Sequence, residues 1–216
     1  MNKFKTPHLR AAAFCAALFA AAASVCVAAP VEIVALGDSL TAGYGLGPGD
    51  SFPEQLQAAL TERGHDVTVA NAGVSGDTAS DGLARLEWSV PEAADIVIVE
   101  LGANDALRGI DPAVTRQALA VVLDKLRARG QAAVLAGMLA PRNLGEEYAA
   151  AFDAIYPELA AEYEVAFYPF FLAGVATDSA LNQADGMHPT ASGVEKIVTA
   201  MLPLVEKLVV QAAEDR

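Results

Sequence analysis

Cysteine and histidine are scarce in this 216-residue chain, and basic residues are outnumbered about two to one by acidic ones. Each shortage removes a class of chemistry. Both cysteines, Cys15 and Cys26, fall within the first 28 residues, so the rest of the chain has no disulfide, thiol nucleophile or thiolate metal site. Of three histidines, His8 lies in the same leading stretch, which leaves His65 and His188. Two imidazoles without a cysteine make a poor zinc site, so no metal is expected. Proton transfer near neutral pH then falls largely to one of two side chains. The 14 basic residues against 27 acidic ones give a formal charge of −13. So acidic a chain repels phosphate backbones and anionic bilayers, and nucleic acid is not an expected partner.

The leading stretch has a grammar of its own. Lys3, Lys5 and Arg10 form a basic head, followed by an apolar run from Ala11 to Ala23 that contains Phe14, Leu18 and Phe19. Small residues follow, up to Val27-Ala28-Ala29-Pro30. This reads as a secretory signal over residues 1–28, cut after Ala28, with export to a periplasm or the medium. The run falls short of the ~20 residues that span a bilayer, so no stable membrane anchor is expected. Lipidation at Cys26 is disfavoured by the bulk of Val25. Loss of three basic and no acidic residues takes the charge from −13 to −16.

From Val31 onward short apolar runs alternate with helical stretches. Strands are expected over Val31–Leu36, Val67–Asn71, Asp95–Leu101, Ala132–Leu139 and Val165–Tyr168. Each is apolar nearly throughout, as for strands buried on both faces. Helices are expected over Ser51–Arg63, Ala79–Trp88, Pro112–Arg129, Glu146–Tyr163 and Ala191–Val210. The alternation predicts a parallel sheet between helices, in one domain over residues 29–216. Ligands of such sheets bind beyond the carboxyl ends of the strands. Polar, glycine-rich sequence falls there: Gly37-Asp38-Ser39-Leu40, Asn71 to Asp77, and Gly102-Ala103-Asn104-Asp105.

Ser39 follows a buried strand directly. Alone it reads as a cap or turn serine. His188, in Asp185-Gly186-Met187-His188-Pro189, changes that reading. A serine hydroxyl needs a base, and an imidazole base needs a carboxylate to hold its tautomer. Asp185, three residues ahead on the same loop, can supply one. His65 precedes the second strand, at the wrong edge of the sheet, and reads as a turn residue. Acyl transfer also needs oxyanion donors, and the N–H groups of Ser39 and Gly76 with the side-chain amide of Asn104 can provide three. An elbow of the Gly-x-Ser-x-Gly type fails, because Gly73-Val74-Ser75-Gly76 brings its second glycine one residue early.

Together these blocks, in this order, resemble the GDSL or SGNH hydrolases. Ser75-Gly76-Asp77-Thr78, Gly82 to Leu86, Glu100-Leu101-Gly102, Leu107-Arg108-Gly109 and Ala154-Ile155-Tyr156-Pro157 are similar to the bacterial thioesterase, lysophospholipase and arylesterase branch. The resemblance spans essentially all of residues 29–216. It implies a three-layer α/β/α sandwich of the flavodoxin-like kind, with a five-stranded parallel sheet. It gives Ser39, Asp185 and His188 the catalytic roles, with Ser39, Gly76 and Asn104 as the oxyanion hole. It further implies an acyl site lined by Leu107, Arg108, Met138 and Leu139, and no cofactor. A basic residue that the branch would place near Leu139 is missing here. The expected partner is a small acyl ester or thioester, met by a monomer. A sugar-acetyl esterase on the same scaffold, or a catalytically silent binding protein, are the competing readings.

Overall fold

The structure is a computed structural model that describes Met1 and residues 29–216. The expected leader, apart from Met1, therefore lies outside the described residues. Five strands form one parallel sheet: β1 (Val31–Gly37), β2 (Val67–Gly73), β3 (Ile96–Glu100), β4 (Ala132–Ala136) and β5 (Ala166–Tyr168), in the order β2-β1-β3-β4-β5. The α-helices between and after them are α1 (Ser39–Ala42), α2 (Phe52–Glu62), α3 (Ala79–Ser89), α4 (Ala103–Leu107), α5 (Pro112–Ala128), α6 (Glu146–Asp153), α7 (Ile155–Tyr163) and α8 (Ala191–Glu214).

Helix α2 packs on α8, while α3 packs on α5 and α5 on α7, giving a layer on each face of the sheet. This is the α/β/α sandwich expected. The reason for it is visible in β1 and β3, whose β-branched runs are buried on both faces and need cover from both sides. Local signals fix the helix starts. Ser51 and Glu54 form a capping box on α2, Thr78 and Asp81 one on α3, and Asp111 accepts the N–H of Ala113 ahead of Pro112 on α5.

Two expectations change. The stretch Glu146–Tyr163 is two helices, broken at Ala154. Pro157 has no N–H to give the preceding turn, and restarting at Ile155 places it in the first turn of α7, where none is needed. Strands β2 and β5 are not buried on both faces: they are the edge strands, and most residues of β2 and all three of β5 are at least partly exposed.

The chain leaves β1 toward β2 on one side and returns to β3 on the other. The direction of winding thus reverses between β1 and β3, where an open sheet parts to leave a crevice. Ser39 follows β1 and Asn104 follows β3.

Candidate active site

Helix α1 is a single turn that begins at Ser39. Asp38 caps it, its Oδ1 accepting the N–H of Leu40 at 2.9 Å, and Gly43, at φ +80°, ends it. Because Asp38 does the capping, the Ser39 hydroxyl is left free for other use. It lies 2.9 Å from His188 Nε2, and His188 Nδ1 lies 2.7 Å from Asp185 Oδ2. With Nδ1–H donated to the carboxylate, Nε2 is the ring's acceptor, directed at the hydroxyl.

The loop that carries this pair is tied at several points. Asp185 Oδ1 accepts the N–H of Met187 at 2.9 Å and of His188 at 3.0 Å, and the Gln183 N–H donates to the His188 carbonyl at 2.7 Å. The Gln183 side chain donates to the Tyr44 carbonyl at 2.7 Å and the Pro189 carbonyl at 2.9 Å. It thus fastens the histidine loop to the turn that follows Ser39. The Tyr44 ring lies against the imidazole, centroids 4.6 Å apart. Neither Tyr44 nor Gln183 is foreseen from the sequence. Their only local signal is nearness to Ser39 and His188.

Hydrogen bonds hold the Asp185 carboxyl down at about 2, first that from the His188 N–H, then that from Met187, then that with the imidazole. Its folded value lies below its unfolded one, so its contribution to stability is present above the ordinary carboxylate range and fades as pH falls toward about 2. Asp185→Asn should therefore melt below wild type at neutral pH and converge with it in acid. Thermal melts across that range check this, and a constant difference would refute it.

Asn104 faces the same space from α4. Its Nδ2 donates to Asp38 Oδ2 and to the Asp77 carbonyl, both at 3.0 Å. Asp77 is itself held by the buried Arg85, whose Nε meets Asp77 Oδ2 at 2.5 Å while Nη2 donates to the Gly37 carbonyl at 2.9 Å. Gly76, at φ +90°, lies in the loop between β2 and α3. Its carbonyl accepts from Arg108 Nη2 at 2.7 Å.

A cavity of about 510 Å³ opens on these groups. Ser39, Gly76, Asn104 and His188 line it together with Leu107, Met138 and Leu139; Asp185 stands behind the histidine. Arg108 does not line it, because its guanidinium is turned onto Gly76. Pro141, which follows the expected Met138 and Leu139 on the same stretch, lines it too, and Phe170 and Leu172 add apolar wall that the sequence reading missed. Met138 is buried, whereas Leu107 and Leu139 remain substantially exposed at the rim. His65 lies at the start of β2, away from all this, paired with Glu206 at 2.9 Å. Among the described residues no cluster of three or more metal-ligating side chains occurs, and no helix is long and apolar enough to cross a membrane.

A doubly wound parallel sheet with a serine–histidine–carboxylate row at its winding reversal is the arrangement of a hydrolytic enzyme. Comparison with known proteins makes the class specific. The model of the GDSL-like lipase/acylhydrolase family matches residues 35–196, and the chain belongs to that family of ester-bond hydrolases. It is 38% identical over 182 residues to the esterase TesA of Pseudomonas aeruginosa, covering 84% of this chain and 90% of that one. It is 37% identical over 183 residues to the thioesterase 1/protease 1/lysophospholipase L1 of Escherichia coli, covering 84% and 86%. The crystal structure of AlinE4, an SGNH-hydrolase family esterase, superposes with a TM-score of 0.71 at 47% identity, over 83% of this chain and 97% of that one.

Proposed function

We propose that the chain is an exported serine esterase that cleaves acyl esters and thioesters through an acyl-enzyme on Ser39. The observation that carries this reading is the 2.9 Å contact between Ser39 Oγ and His188 Nε2 at the mouth of an apolar cavity. As Oγ attacks the acyl carbon, its proton passes to Nε2, and Asp185 steadies the imidazolium. The N–H groups of Ser39 and Gly76 and the amide of Asn104 take the developing oxyanion. Collapse expels an alkoxide or thiolate, which receives the proton from Nε2. Water then repeats the sequence on the acyl-enzyme and frees the acid. Export is supported by the basic head and apolar run within residues 1–28, and the amino terminus of secreted protein would test it.

The apolar wall made by Met138, Phe170 and Leu172 favours an acyl chain over a sugar. Each methylene it buries is worth about 0.8 kcal/mol, roughly fourfold in kcat/KM. In a series of p-nitrophenyl esters and acyl-CoA thioesters, kcat/KM should climb with chain length until the chain outgrows the cavity. Acetylated sugars should be poor substrates. A preference for the sugars, with no gain between short and medium acyl chains, would instead mean a sugar-acetyl esterase.

A further inference from the structure

Behind Ser39 lie two acidic side chains that these steps never touch. Asp38 is fully buried, and Glu100, the last residue of β3, is 1% exposed. They meet because β1 and β3 pair Gly37 with Glu100, and because residue 37 has no side chain. A Cβ at Gly37 would stand 2.0 Å from Thr41 Oγ1 and 2.7 Å from Glu100 Oε2, so only glycine leaves room for this contact.

The two carboxyls are unequally served. Asp38 uses both oxygens, Oδ1 on the Leu40 N–H and Oδ2 on the Asn104 amide. Glu100 Oε2 accepts from Thr41 Oγ1 at 2.8 Å and more distantly from the Asp38 N–H at 3.4 Å. Glu100 Oε1 is buried and accepts nothing. Arg85, the buried cation nearby in the fold, directs its donors to Asp77, Ser89 and the Gly37 carbonyl, and neutralises neither acid. An ionised Glu100 would thus leave an unserved oxygen in a dry place beside a second negative charge. A protonated Glu100 removes both difficulties: the second negative charge is gone, and the unserved Oε1 becomes a donor on a carboxyl whose other oxygen already lies 3.4 Å from the Asp38 N–H. Burial, then the Asp38 charge, push Glu100 well above the usual carboxylate range. Burial raises Asp38 as well, and its own hydrogen bonds restrain it; with both of its oxygens served it is the better placed of the two to carry the charge.

We propose that Glu100 is a positioning residue that stands at neutral pH as a carboxylic acid, donates its proton to the Asp38 carboxylate, and so holds that anion against the Asn104 amide. The role of Asn104 as an oxyanion donor is the part of the functional reading on which this rests. No proton is consumed in turnover, and Glu100 touches no reacting atom.

Two variants of the full chain test it, with a short aryl ester and a phosphonate titrant to count active sites. Glu100→Gln keeps a neutral donor and should retain kcat within about threefold. Glu100→Met removes the donor and should lower kcat about tenfold or more at nearly constant KM. The second readout needs no activity. In the wild type, unfolding frees Glu100 to ionise at its ordinary value while the folded state keeps the proton. Its stability contribution is therefore present below that value and lost as pH rises. The thermal midpoint of Glu100→Gln should accordingly gain on wild type from about pH 5 to about pH 8. The other ionisable groups around Glu100, namely its partner Asp38, then Tyr156 and His188, with Arg85 beyond Gly37, are the same in both proteins. Should Glu100→Gln be as damaged as Glu100→Met, the working form is the anion and the proposal fails. It fails equally if Glu100→Met shows normal kcat per titrated site, or if the midpoint difference does not change with pH. Absence of any ester turnover in the wild type would sink the functional reading, while the melts still decide whether Glu100 holds its proton.

Discussion

Ser39→Ala should lower kcat for ester hydrolysis by roughly 10⁴–10⁶-fold, the scale on which triad nucleophiles act. The thermal midpoint should scarcely move. Both halves follow from the position of the residue. Its hydroxyl has one strong partner, His188 Nε2, and no share in capping α1, which Asp38 does from the preceding position. Alanine is also a good residue for the first turn of a helix, so the backbone has no reason to rearrange. What disappears is the attacking oxygen. An organophosphonate should label Ser39 in the wild type and nothing in the variant. Ser75 also lines the cavity and is the serine to watch. Label appearing there, or turnover persisting in Ser39→Ala beyond the contribution of the oxyanion donors, would move the nucleophile and with it the whole mechanism.

Much of this site is legible in the sequence because chemistry and topology coincide there. An apolar run such as Val31 to Leu36 reads as a buried strand, and the residues just beyond such runs face the crevice. Asp185 and His188 lie three residues apart, so their contact needs only a local turn, and the loop supplies it. The pairing of Asp38 with Glu100 could not be read in this way. Those residues are 62 positions apart and meet through the β1–β3 register, with Gly37 opposite Glu100. A sequence shows two acids, each at the end of a strand, and nothing about the distance between them. Arg108 fails for a related reason: its place in the chain puts it near the cavity, but side-chain direction decides its use, and it points to Gly76. The break at Ala154 was hidden because the apolar pattern of a helix runs on through it. Pro157 alone does not announce it, since α8 runs on through Pro203.

Asn104→Ala should lower kcat by roughly 10²–10³-fold with little change in KM, the loss expected when one oxyanion donor is removed. The resting geometry makes the case particular. Both hydrogens of the amide are already engaged, one on Asp38 Oδ2 and one on the Asp77 carbonyl. An oxyanion must therefore share or take over one of them. The Asp77 carbonyl is the weaker competitor, being uncharged, whereas the hydrogen bond to the Asp38 carboxylate fixes the plane of the amide. On this view the hydrogen now on the Asp77 carbonyl passes to the oxyanion only as charge develops, which places its effect in kcat. Asn104→Asp should be no better than alanine, for it offers acceptors where donors are needed and adds a negative charge beside Asp38. It should also melt lower than Asn104→Ala. If Asn104 served only to join α4 to the Asp77 loop, the alanine variant would lose thermal stability and keep its kcat per titrated site. Midpoint and active-site-titrated kcat measured on the same samples separate the two, and near-normal kcat in a well-folded Asn104→Ala protein would remove the residue from the oxyanion hole.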